Sequence, residues 1–332
     1  MPDMQIKHVI SVSGGKDSLA TLLLALERCP RENVVPIFCD TGNEHEQTYE
    51  YLSYMESALG VTITRLKADF TKQLLRKRMF IARDQRTGRD KSGRKLRWSN
   101  KAKRRALSVM HPSGNPFLDL CMWKGRFPSR KAQFCTEELK RNMAVAFQLE
   151  LMEAGYSVIS WQGIRRDEST NRATAKKSER VGGGLWIFRP IVDWTAAQTF
   201  QIAAARSIKP NPLYLQGMGR VGCMPCINCN KAELRQIARR FPEHIERIAQ
   251  WELIVSMCSK RGGSTFKTDA HPAQDVRQIF ADLNIRARVE WSKTSRGGKQ
   301  INLLDDVENG GSGGCSSSYG LCEQSDFATE AA

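Results

Sequence analysis

The sequence predicts an α/β fold, with a parallel sheet that carries helices on both faces and a mostly helical C-terminal region after it. Two observations lead to this prediction. Apolar runs of strand length alternate with segments whose apolar residues recur at helical spacing, and that alternation is typical of parallel sheets covered by helices. From residue 230 onward the helical spacing continues without further strand-like runs.

The predicted elements divide the chain into three regions. Strands are expected at residues 7–13, 34–39, 61–66, 157–162 and 185–188. Helices are expected at residues 17–27, 45–59, 137–154, 195–206, 230–240, 242–260 and 272–283. We therefore predict an α/β domain at 1–222, a cysteine-containing helical region at 223–291, and a flexible tail at 292–332 whose Gly and Ser content favours disorder.

Composition narrows the class of protein. The 332 residues are 41% hydrophobic and 26% charged, which fits a globular protein that buries a sizeable core. No apolar run reaches the roughly 18 residues of a membrane span, and the first residues lack the layout of a signal peptide. We expect a cytoplasmic protein without a membrane partner. In that compartment the ten cysteines are expected to be metal ligands, catalytic thiols or buried residues rather than disulfides.

The net charge of +16 is concentrated in one segment. Residues 83–105 carry eleven cations against two acids, with Trp98 among them. Such a segment resists collapse, so we predict an extended, mobile insertion. Clustered Lys and Arg gain from displacing counterions along a phosphate backbone, and an aromatic ring can stack on a base, which favours a nucleic-acid contact. A merely solvated loop is the alternative.

The stretch SGGKDS, residues 13–18, joins the first predicted strand to the first predicted helix. Such a turn places backbone N–H groups, the positive end of a helix and Lys16 around one point, which suits an anion. The usual nucleotide-triphosphatase loop does not fit, because Ile10 and Asp17 stand where it needs Gly and Ser or Thr. A carboxylate repels phosphate unless Mg²⁺ lies between them, so Asp17 suggests a metal. An ordinary strand-to-helix connection is the alternative.

Four further motifs follow in order. They read FCDTGNEHEQTYEYL (38–52), FCTEELK (134–140), WQGIRRDESTNRA (161–173) and FRPIVDWTAAQTF (188–200). With SGGKDS they resemble the phosphoadenosine-phosphosulfate (PAPS) reductase-like branch of the PP-loop ATP pyrophosphatase superfamily, also described as adenine nucleotide alpha hydrolase-like. The resemblance spans roughly residues 7–240. It implies cleavage of ATP between the α and β phosphates and transfer of AMP to an acceptor. PAPS reductases carry an altered loop without the lysine, so the intact Lys16 favours ATP as substrate.

The resemblance also implies a set of site residues. The phosphates of the nucleotide would be held by Ser13, Gly14, Gly15, Lys16, Asp17 and Ser18. The Asp40, Thr41 and Gly42 turn would approach the nucleotide, with Asp17 and Asp40 available to Mg²⁺. Gly163 and Arg165, and less certainly Arg166 and Arg172, would face the α phosphate or the acceptor, since a guanidinium suits oxyanions. The catalytic set is then Lys16, Asp17, Asp40, Cys135 and Arg165. Each also has a plain alternative, such as a turn former or a surface cation.

Three cysteines form a separate motif. Cys223, Cys226 and Cys229 follow the C-x-x-C-x-x-C spacing by which ferredoxin-type loops hold iron–sulfur clusters. We predict a [4Fe-4S] cluster with Cys135 as fourth ligand and Cys322 as the alternative; the distant cysteines Cys258 and Cys315 are further candidates. Zinc, with a contribution from His244, also fits the spacing, as do redox or sulfur-carrying thiols. Cys29 and Cys39 lie in apolar contexts and are expected in the core.

These parts together predict an enzyme that uses ATP and Mg²⁺ to activate an acceptor for sulfur transfer. The acceptor would be nucleic acid, as in DNA phosphorothioation or tRNA thiolation, contacted through residues 83–105, and a cysteine desulfurase is a possible sulfur donor. Two alternatives remain open. One is reduction of PAPS or adenylyl sulfate with Cys322 or Cys135 as nucleophile, and the other is a nucleic-acid-binding regulatory protein that uses ATP only as a ligand.

Overall fold

A computed structural model describes residues 5–268, 271–273 and 275–294. One sheet has the strand order β3-β2-β1-β4-β6-β5. The strands are β1 (Ile6–Val12), β2 (Val34–Asp40), β3 (Thr64–Lys67), β4 (Ser157–Trp161), β5 (Ser178–Gly182) and β6 (Leu185–Phe188). Every pairing is parallel except that of β5 with β6. The predicted parallel sheet is confirmed, and β5 is an edge strand that the sequence pattern did not indicate.

The helices follow the predicted order, with additions between β3 and β4 and, after the sheet, at Pro212–Leu215 and Ile285–Ser292. Before β4 they are α1 (Lys16–Arg28), α2 (Glu46–Leu59), α3 (Thr71–Arg83), α4 (Asn100–Val109), α5 (Pro116–Lys124), α6 (Phe134–Thr136) and α7 (Asn142–Glu153). A π-helical turn at Glu137–Arg141 joins α6 to α7. After the sheet come α8 (Ala196–Ala204), α9 (Pro212–Leu215), α10 (Lys231–Arg240), α11 (Pro242–Cys258), α12 (Val276–Leu283) and α13 (Ile285–Ser292). Short 3₁₀ turns lie at Arg31–Asn33, Arg166–Glu168 and Thr170–Arg172.

Helices cover both faces of the sheet, as predicted. On one face α1 and α2 pack against the strands, with Leu22 and Leu52 fully buried. On the other face Phe147 of α7 packs against Val9 and Val158. The sheet is therefore apolar on both sides, and this explains why its central strands read as continuous apolar runs.

A second core joins the C-terminal helices to the segment between β3 and β4. Phe117 of α5 lies 5.8 Å from the ring of Trp251 in α11, and Phe127 lies 5.5 Å from Phe266. The same cluster includes Leu74 of α3. Because this core contains residues from both sides of residue 222, the helical region packs on the α/β domain. The boundary between them at residue 222 stays a prediction. Within the described residues, no helix is both long and apolar enough to cross a membrane.

The basic segment 83–105 differs from the prediction. Its end forms the start of α4, where Ala102 and Ala106 face the core. Trp98 is 6% exposed, and its backbone N–H donates to the buried carboxylate of Asp84 at 2.8 Å. The expectation of a wholly extended segment is therefore wrong, because small apolar residues at helical spacing anchor its second half. Trp98 supports the fold and is not placed to stack on a base.

A buried carboxylate fixes the geometry of the C-terminal helices and gives a testable pH dependence. Glu252 of α11 accepts backbone hydrogen bonds from Phe266 at 2.7 Å and Ile285 at 2.8 Å. Burial raises the pKa of Glu252 from 4.5 to about 7. Between these values the folded chain holds a proton that the unfolded chain has lost, so the contribution of Glu252 to stability falls as pH rises from about 4.5 to about 7.

We expect Glu252→Gln to remove this dependence. The free energy of unfolding of the wild type, minus that of the variant, should fall by on the order of 2 kcal/mol between pH 5 and pH 8. Urea unfolding at several pH values measures the difference. A difference that stays constant across this range would show that Glu252 titrates normally in the folded chain.

Candidate active site

The candidate site lies where the strand order of the sheet changes direction. β1 sits between β2 and β4, and the chain leaves β1 toward β2 but returns after β3 to the other side of β1. In open α/β sheets, ligands bind in the crevice outside the carboxyl ends of the strands at such a point. The ends of β1, β2 and β4 carry three of the predicted motifs: the turn at 13–18, the turn at 40–44, and residues 162–165.

The turn after β1 has the geometry of an anion cradle. Gly14 has φ +74°, and a Cβ there would lie 2.9 Å from Cγ2 of Thr48. Ser18 Oγ donates to the Gly15 carbonyl at 2.9 Å and accepts from the Ser13 N–H at 3.1 Å, which closes the turn. The N-cap Gly15 has no side chain to cap α1, but the Lys16 N–H donates to the Tyr214 hydroxyl at 3.1 Å, so the other N–H groups of the first turn are the ones available to an anion.

An ion network lies beside this turn. Lys16 is 8% exposed, and its Nζ lies 3.0 Å from Oδ2 of Asp17. The other carboxylate oxygen, Oδ1, lies 2.5 Å from Nε of Arg165, which is itself buried and also binds Asp167 at 2.5 Å. Asp17 and Asp167 raise the pKa of Arg165 although burial opposes its charge. Each carboxylate oxygen of Asp17 is thus paired with a cation. For Asp17 to bind Mg²⁺, either Lys16 or Arg165 would have to move away.

Gly163 explains how the β4 motif reaches the turn. A Cβ at this position would lie 2.9 Å from the carbonyl oxygen of Asp17 and 3.0 Å from Oγ1 of Thr21. Only glycine allows the chain after β4 to lie this close to the first turn of α1. That close approach brings Arg165 to Asp17. The motif around Gly163 therefore positions a guanidinium against the anion cradle.

The turn after β2 holds two carboxylates, those of Asp40, which is half-buried, and Glu44, which is buried. Asp40 Oδ1 accepts from the Gly42 N–H at 2.9 Å and from the Tyr49 hydroxyl at 2.8 Å. Glu44 is 3% exposed and accepts from the Thr41 hydroxyl at 2.7 Å. Burial and the nearby charge of Glu44 raise the pKa of Tyr49 above its ordinary range, so Tyr49 stays a donor. Within the described residues Oδ2 of Asp40 has no hydrogen-bond donor, whereas both carboxylate oxygens of Asp17 are paired with cations. Of these two aspartates, Asp40 is therefore better placed to bind a metal ion.

The same turn is hydrogen-bonded to the cysteine loop, residues 223–229. The Met224 N–H donates to the Asn43 carbonyl at 2.7 Å, and Nδ2 of Asn43 donates to the Pro225 carbonyl at 3.0 Å. Oγ1 of Thr41 lies 3.4 Å from Sγ of Cys223. The turn at 40–44 and the cysteine loop at 223–229 therefore form one continuous surface, which sequence spacing alone does not reveal.

Four of the predicted metal-binding cysteines share one neighbourhood. Burial raises the pKa of Cys135, Cys223 and Cys229, and the charge of Cys226 adds to the rise at each of them. Cys226 therefore lies close enough to interact electrostatically with all three. Burial is the main cause of each shift. The described thiols are all free of disulfides.

Two cations face these thiols. The neighbouring Cys223 and the Glu44 carboxylate raise the pKa of Lys140 above its ordinary range. Burial opposes the charge of Arg220, yet Cys226 and Glu233 raise its pKa. Fixed positive charge beside a thiol favours the thiolate, which is the form that binds metals and attacks electrophiles. The donor set thus fits a metal centre chemically.

Some candidate ligands lie elsewhere. Cys258 is fully buried at the end of α11, beside Lys77 and Arg105 rather than the other cysteines, so it is not placed as a cluster ligand. Cys315 and Cys322 lie outside the described residues. Cys29 and Cys39 are partly rather than fully buried; Cys29 packs against the core beside α1, and the Sγ of Cys39 donates to the Lys140 carbonyl at 3.5 Å.

His244 is grouped with other residues than the cysteines. Its ring stacks on His45 at 4.8 Å, and ligand atoms of His45, Glu243 and His244 lie within 4.8 Å of one another. Two features oppose a cation there: both histidines lie at helix N-termini, and the charge of Arg247 lowers the pKa of each after burial does. The suggested contribution of His244 to a cysteine zinc site is therefore not supported by this geometry.

Several residues that shape the site were not singled out from the sequence. Glu44 and Lys140 stand inside quoted motifs, so their motif membership was an available signal. Tyr214, whose hydroxyl accepts from the Lys16 N–H at 3.1 Å, and Asn211, which donates to the Gly14 carbonyl at 3.1 Å, lie in α9 or just before it. No motif or periodic pattern marks those two positions.

Comparison with known proteins assigns the chain to a family. It matches the model of the phosphoadenosine phosphosulfate reductase domain over residues 7–229. The chain belongs to this family. The matched range begins in β1 and ends at Cys229, so it includes the anion cradle, the turn after β2, the Gly163 motif and the three-cysteine loop.

Relatives of this PAPS reductase family member differ in how much they share. A 37.8 kDa protein of Escherichia phage 186, described as uncharacterized, is 45% identical over 328 residues, which cover 95% of this chain and 96% of the relative. An adenosine 5'-phosphosulfate reductase of Burkholderia cepacia is 34% identical over 65 residues, 19% of this chain and 26% of that enzyme. Among solved structures, a PAPS reductase of Candida auris aligns with 16% identity and a TM-score of 0.39, covering 66% of this chain and 82% of the other.

Proposed function

We propose that this PAPS reductase family member cleaves ATP between its α and β phosphates and uses the adenylated acceptor for sulfur transfer on nucleic acid. The observation that carries the proposal is the direct bonding of two loops. The nucleotide-side turn at 40–44 contacts the cysteine loop through Asn43 and Thr41. An enzyme that activates an oxygen and then replaces it with sulfur needs these two functions next to each other.

In the activation step, the anion cradle would hold the β and γ phosphates. The Lys16 side chain and the N–H groups of the first turn of α1 after that of Lys16 would supply positive charge and donors there, joined by the Ser13 hydroxyl if it turns away from Ser18 Oγ. An acceptor oxygen attacks the α phosphorus, the bond from that phosphorus to the bridging oxygen breaks, and pyrophosphate leaves. Arg165 would stabilise the added negative charge on the α phosphate, provided it shifts from Asp17 toward the nucleotide. Asp40 would hold Mg²⁺, which would supply positive charge beside the phosphates.

In the transfer step, a sulfur nucleophile replaces the adenylated oxygen, which departs on AMP. Cys135, Cys223, Cys226 and Cys229 would hold the metal centre. The C-x-x-C-x-x-C spacing of Cys223, Cys226 and Cys229 favours a [4Fe-4S] cluster, which when bound would supply or present sulfur, and a tetrahedral zinc site is the alternative. Burial raises the pKa of the Cys223 thiol, and the charge of Lys140 opposes that rise, so Lys140 would favour the thiolate when a metal binds.

Reduction of PAPS or adenylyl sulfate is the second candidate. The family name and the local similarity to the Burkholderia cepacia reductase favour it. In this reaction the thiolate of Cys135 would attack the sulfonate sulfur and release the nucleotide. A second thiol would then attack the resulting adduct, form a disulfide with Cys135 and free sulfite. The intact Lys16 favours ATP, because neither sulfonucleotide has β and γ phosphates for it to bind.

One two-armed experiment separates these candidates. Anaerobically purified protein is incubated with Mg²⁺, ATP, DNA or tRNA, and a cysteine desulfurase with ³⁵S-cysteine; a parallel sample receives PAPS or adenylyl sulfate and a dithiol. We expect ³⁵S to enter nucleic acid only when ATP is present, with no sulfite release in the parallel sample. Sulfite release without ATP-dependent labelling would instead establish the reductase. Nucleic-acid binding without either reaction would favour the regulatory alternative.

A further inference from the structure

A strongly basic cavity lies apart from the cysteine loop and the anion cradle. It has a volume of about 490 Å³ and lies between Trp98, the end of α5, and the loop after α11. Its ten lining residues include five cations and no carboxylate. The cations are Lys77, Lys124, Arg126, Lys260 and Arg261.

The cavity is built by contacts among three segments that are distant in sequence. Arg105 donates to the carbonyls of Met257 at 3.2 Å and Ser259 at 2.6 Å, which fixes the loop after α11 against α4. The Phe127 N–H donates to Ser264 Oγ at 3.2 Å, which ties the chain after α5 to the same loop. The walls are thus held by hydrogen bonds, and the cations are set on a fixed frame.

Most of the positive charge in the cavity is not neutralised. Lys124 pairs with Glu138 at 2.8 Å. Within the described residues the other four cations have no carboxylate partner. Lys77 is half-buried, and burial together with Lys124 and Arg86 lowers its pKa, as expected of a cation that lacks a counter-charge. An anion that enters here would meet an excess of positive charge in a partly desolvated site.

The cavity continues in two directions. Lys260 Nζ donates to the Leu96 carbonyl at 2.8 Å, so the basic segment borders the cavity and extends it with the exposed cations of residues 86–97. On the other side, Arg126 lies 5.5 Å from the ring of Phe134, the residue before Cys135. A basic path therefore leads from the basic segment, through the cavity, to a cysteine of the candidate active site.

We propose that this cavity binds a phosphate group of a nucleic-acid backbone and that the basic segment holds the neighbouring phosphates. A chain of phosphates matches the length of the path better than one small anion, because the cations extend beyond the cavity on the side of the basic segment. The inference rests on the proposed function for its direction, since it leads the acceptor strand toward Cys135. It assigns the main contact to the cavity rather than to Trp98, which is buried.

The test uses charge reversal at two rim residues. Arg126 and Arg261 are exposed, so Arg126→Glu/Arg261→Glu should leave the fold intact; Arg126→Gln/Arg261→Gln is a milder second variant. The matched control, Arg28→Glu/Arg31→Glu, changes the net charge equally at the end of α1 remote from the cradle. Fluorescence anisotropy with a labelled 20-base-pair DNA duplex and a labelled 20-nucleotide RNA, between 50 and 200 mM salt and without ATP, gives affinities and salt slopes.

We expect the rim double reversal to weaken binding of at least one polymer by 10-fold or more and to lower its salt slope by about two. The glutamine variant should lie between it and the wild type, and the control should stay within about 2-fold of the wild type. Binding of ATP in the absence of nucleic acid, measured by isothermal titration calorimetry, should be unchanged in every variant, which separates this inference from the proposed reaction. Equal weakening by rim and control variants, or a wild type that binds neither polymer, would overturn the inference.

Discussion

Replacing Lys16 with alanine is expected to lower the rate of pyrophosphate release from ATP by at least about 100-fold. Lys16 is buried at the first position of α1, and its charge would act on the leaving pyrophosphate in a site with little water. The fold should persist, because Asp17 keeps its ion pair with Arg165 when the Lys16 side chain is removed. Steady-state release of pyrophosphate, measured with a coupled assay, gives the rate.

The matched control is Lys72→Ala, which removes an exposed lysine from α3. It should leave the rate within about 2-fold of the wild type. Circular dichroism of both variants checks that the fold is retained. If Lys16→Ala cleaves ATP at the wild-type rate, the turn at 13–18 is not a pyrophosphate site and the proposed function is wrong.

Replacing Cys226 with serine is expected to abolish binding of the proposed [4Fe-4S] cluster. Cys226 is the electrostatic neighbour of Cys135, Cys223 and Cys229, so its loss affects the centre more than loss of a peripheral thiol would. For anaerobically purified protein, iron and acid-labile sulfide should fall from about four of each per chain to near zero, with loss of the brown absorption near 400 nm. Sulfur transfer should be lost with them.

Cys29→Ser serves as the control, because Cys29 is also a partly buried free thiol but packs beside α1 in the other core. Its iron content should match that of the wild type. A colourless wild-type protein with one zinc ion per chain would show that the cysteines bind structural zinc and not an iron–sulfur cluster. Iron retained in full by Cys226→Ser would remove Cys226 from the ligand set.

The parallel sheet could be predicted because its central strands are buried on both faces and read as apolar runs. β5 was missed because Ser178–Gly182 is an exposed edge strand without an apolar pattern. α4 was missed for a different reason. Residues 83–105 contain eleven cations, and only Ala102 and Ala106 of α4 are buried, so the helix has no strong apolar pattern in the sequence. The burial of a few small residues outweighed the charge of the segment, and composition does not show that.

The candidate site was predictable where its residues stand in motifs and unpredictable where tertiary contacts create it. The cradle residues and Arg165 come together as the motif order predicts. The pairing of the cysteine loop with Asn43, and the approach of Tyr214 to Lys16, depend on loops that are distant in sequence. Hydrogen bonds of this kind leave no periodic trace, so only the structure reveals them.

The central claim is cleavage of ATP between the α and β phosphates, and the products of a single reaction test it most directly. The protein is incubated with Mg²⁺, nucleic acid, and ATP labelled in separate samples at the α and γ phosphates, and the labelled products are separated by chromatography. The proposed function predicts AMP or an AMP adduct from the α label and pyrophosphate from the γ label. Formation of ADP and orthophosphate, or no turnover of ATP at all, would contradict it.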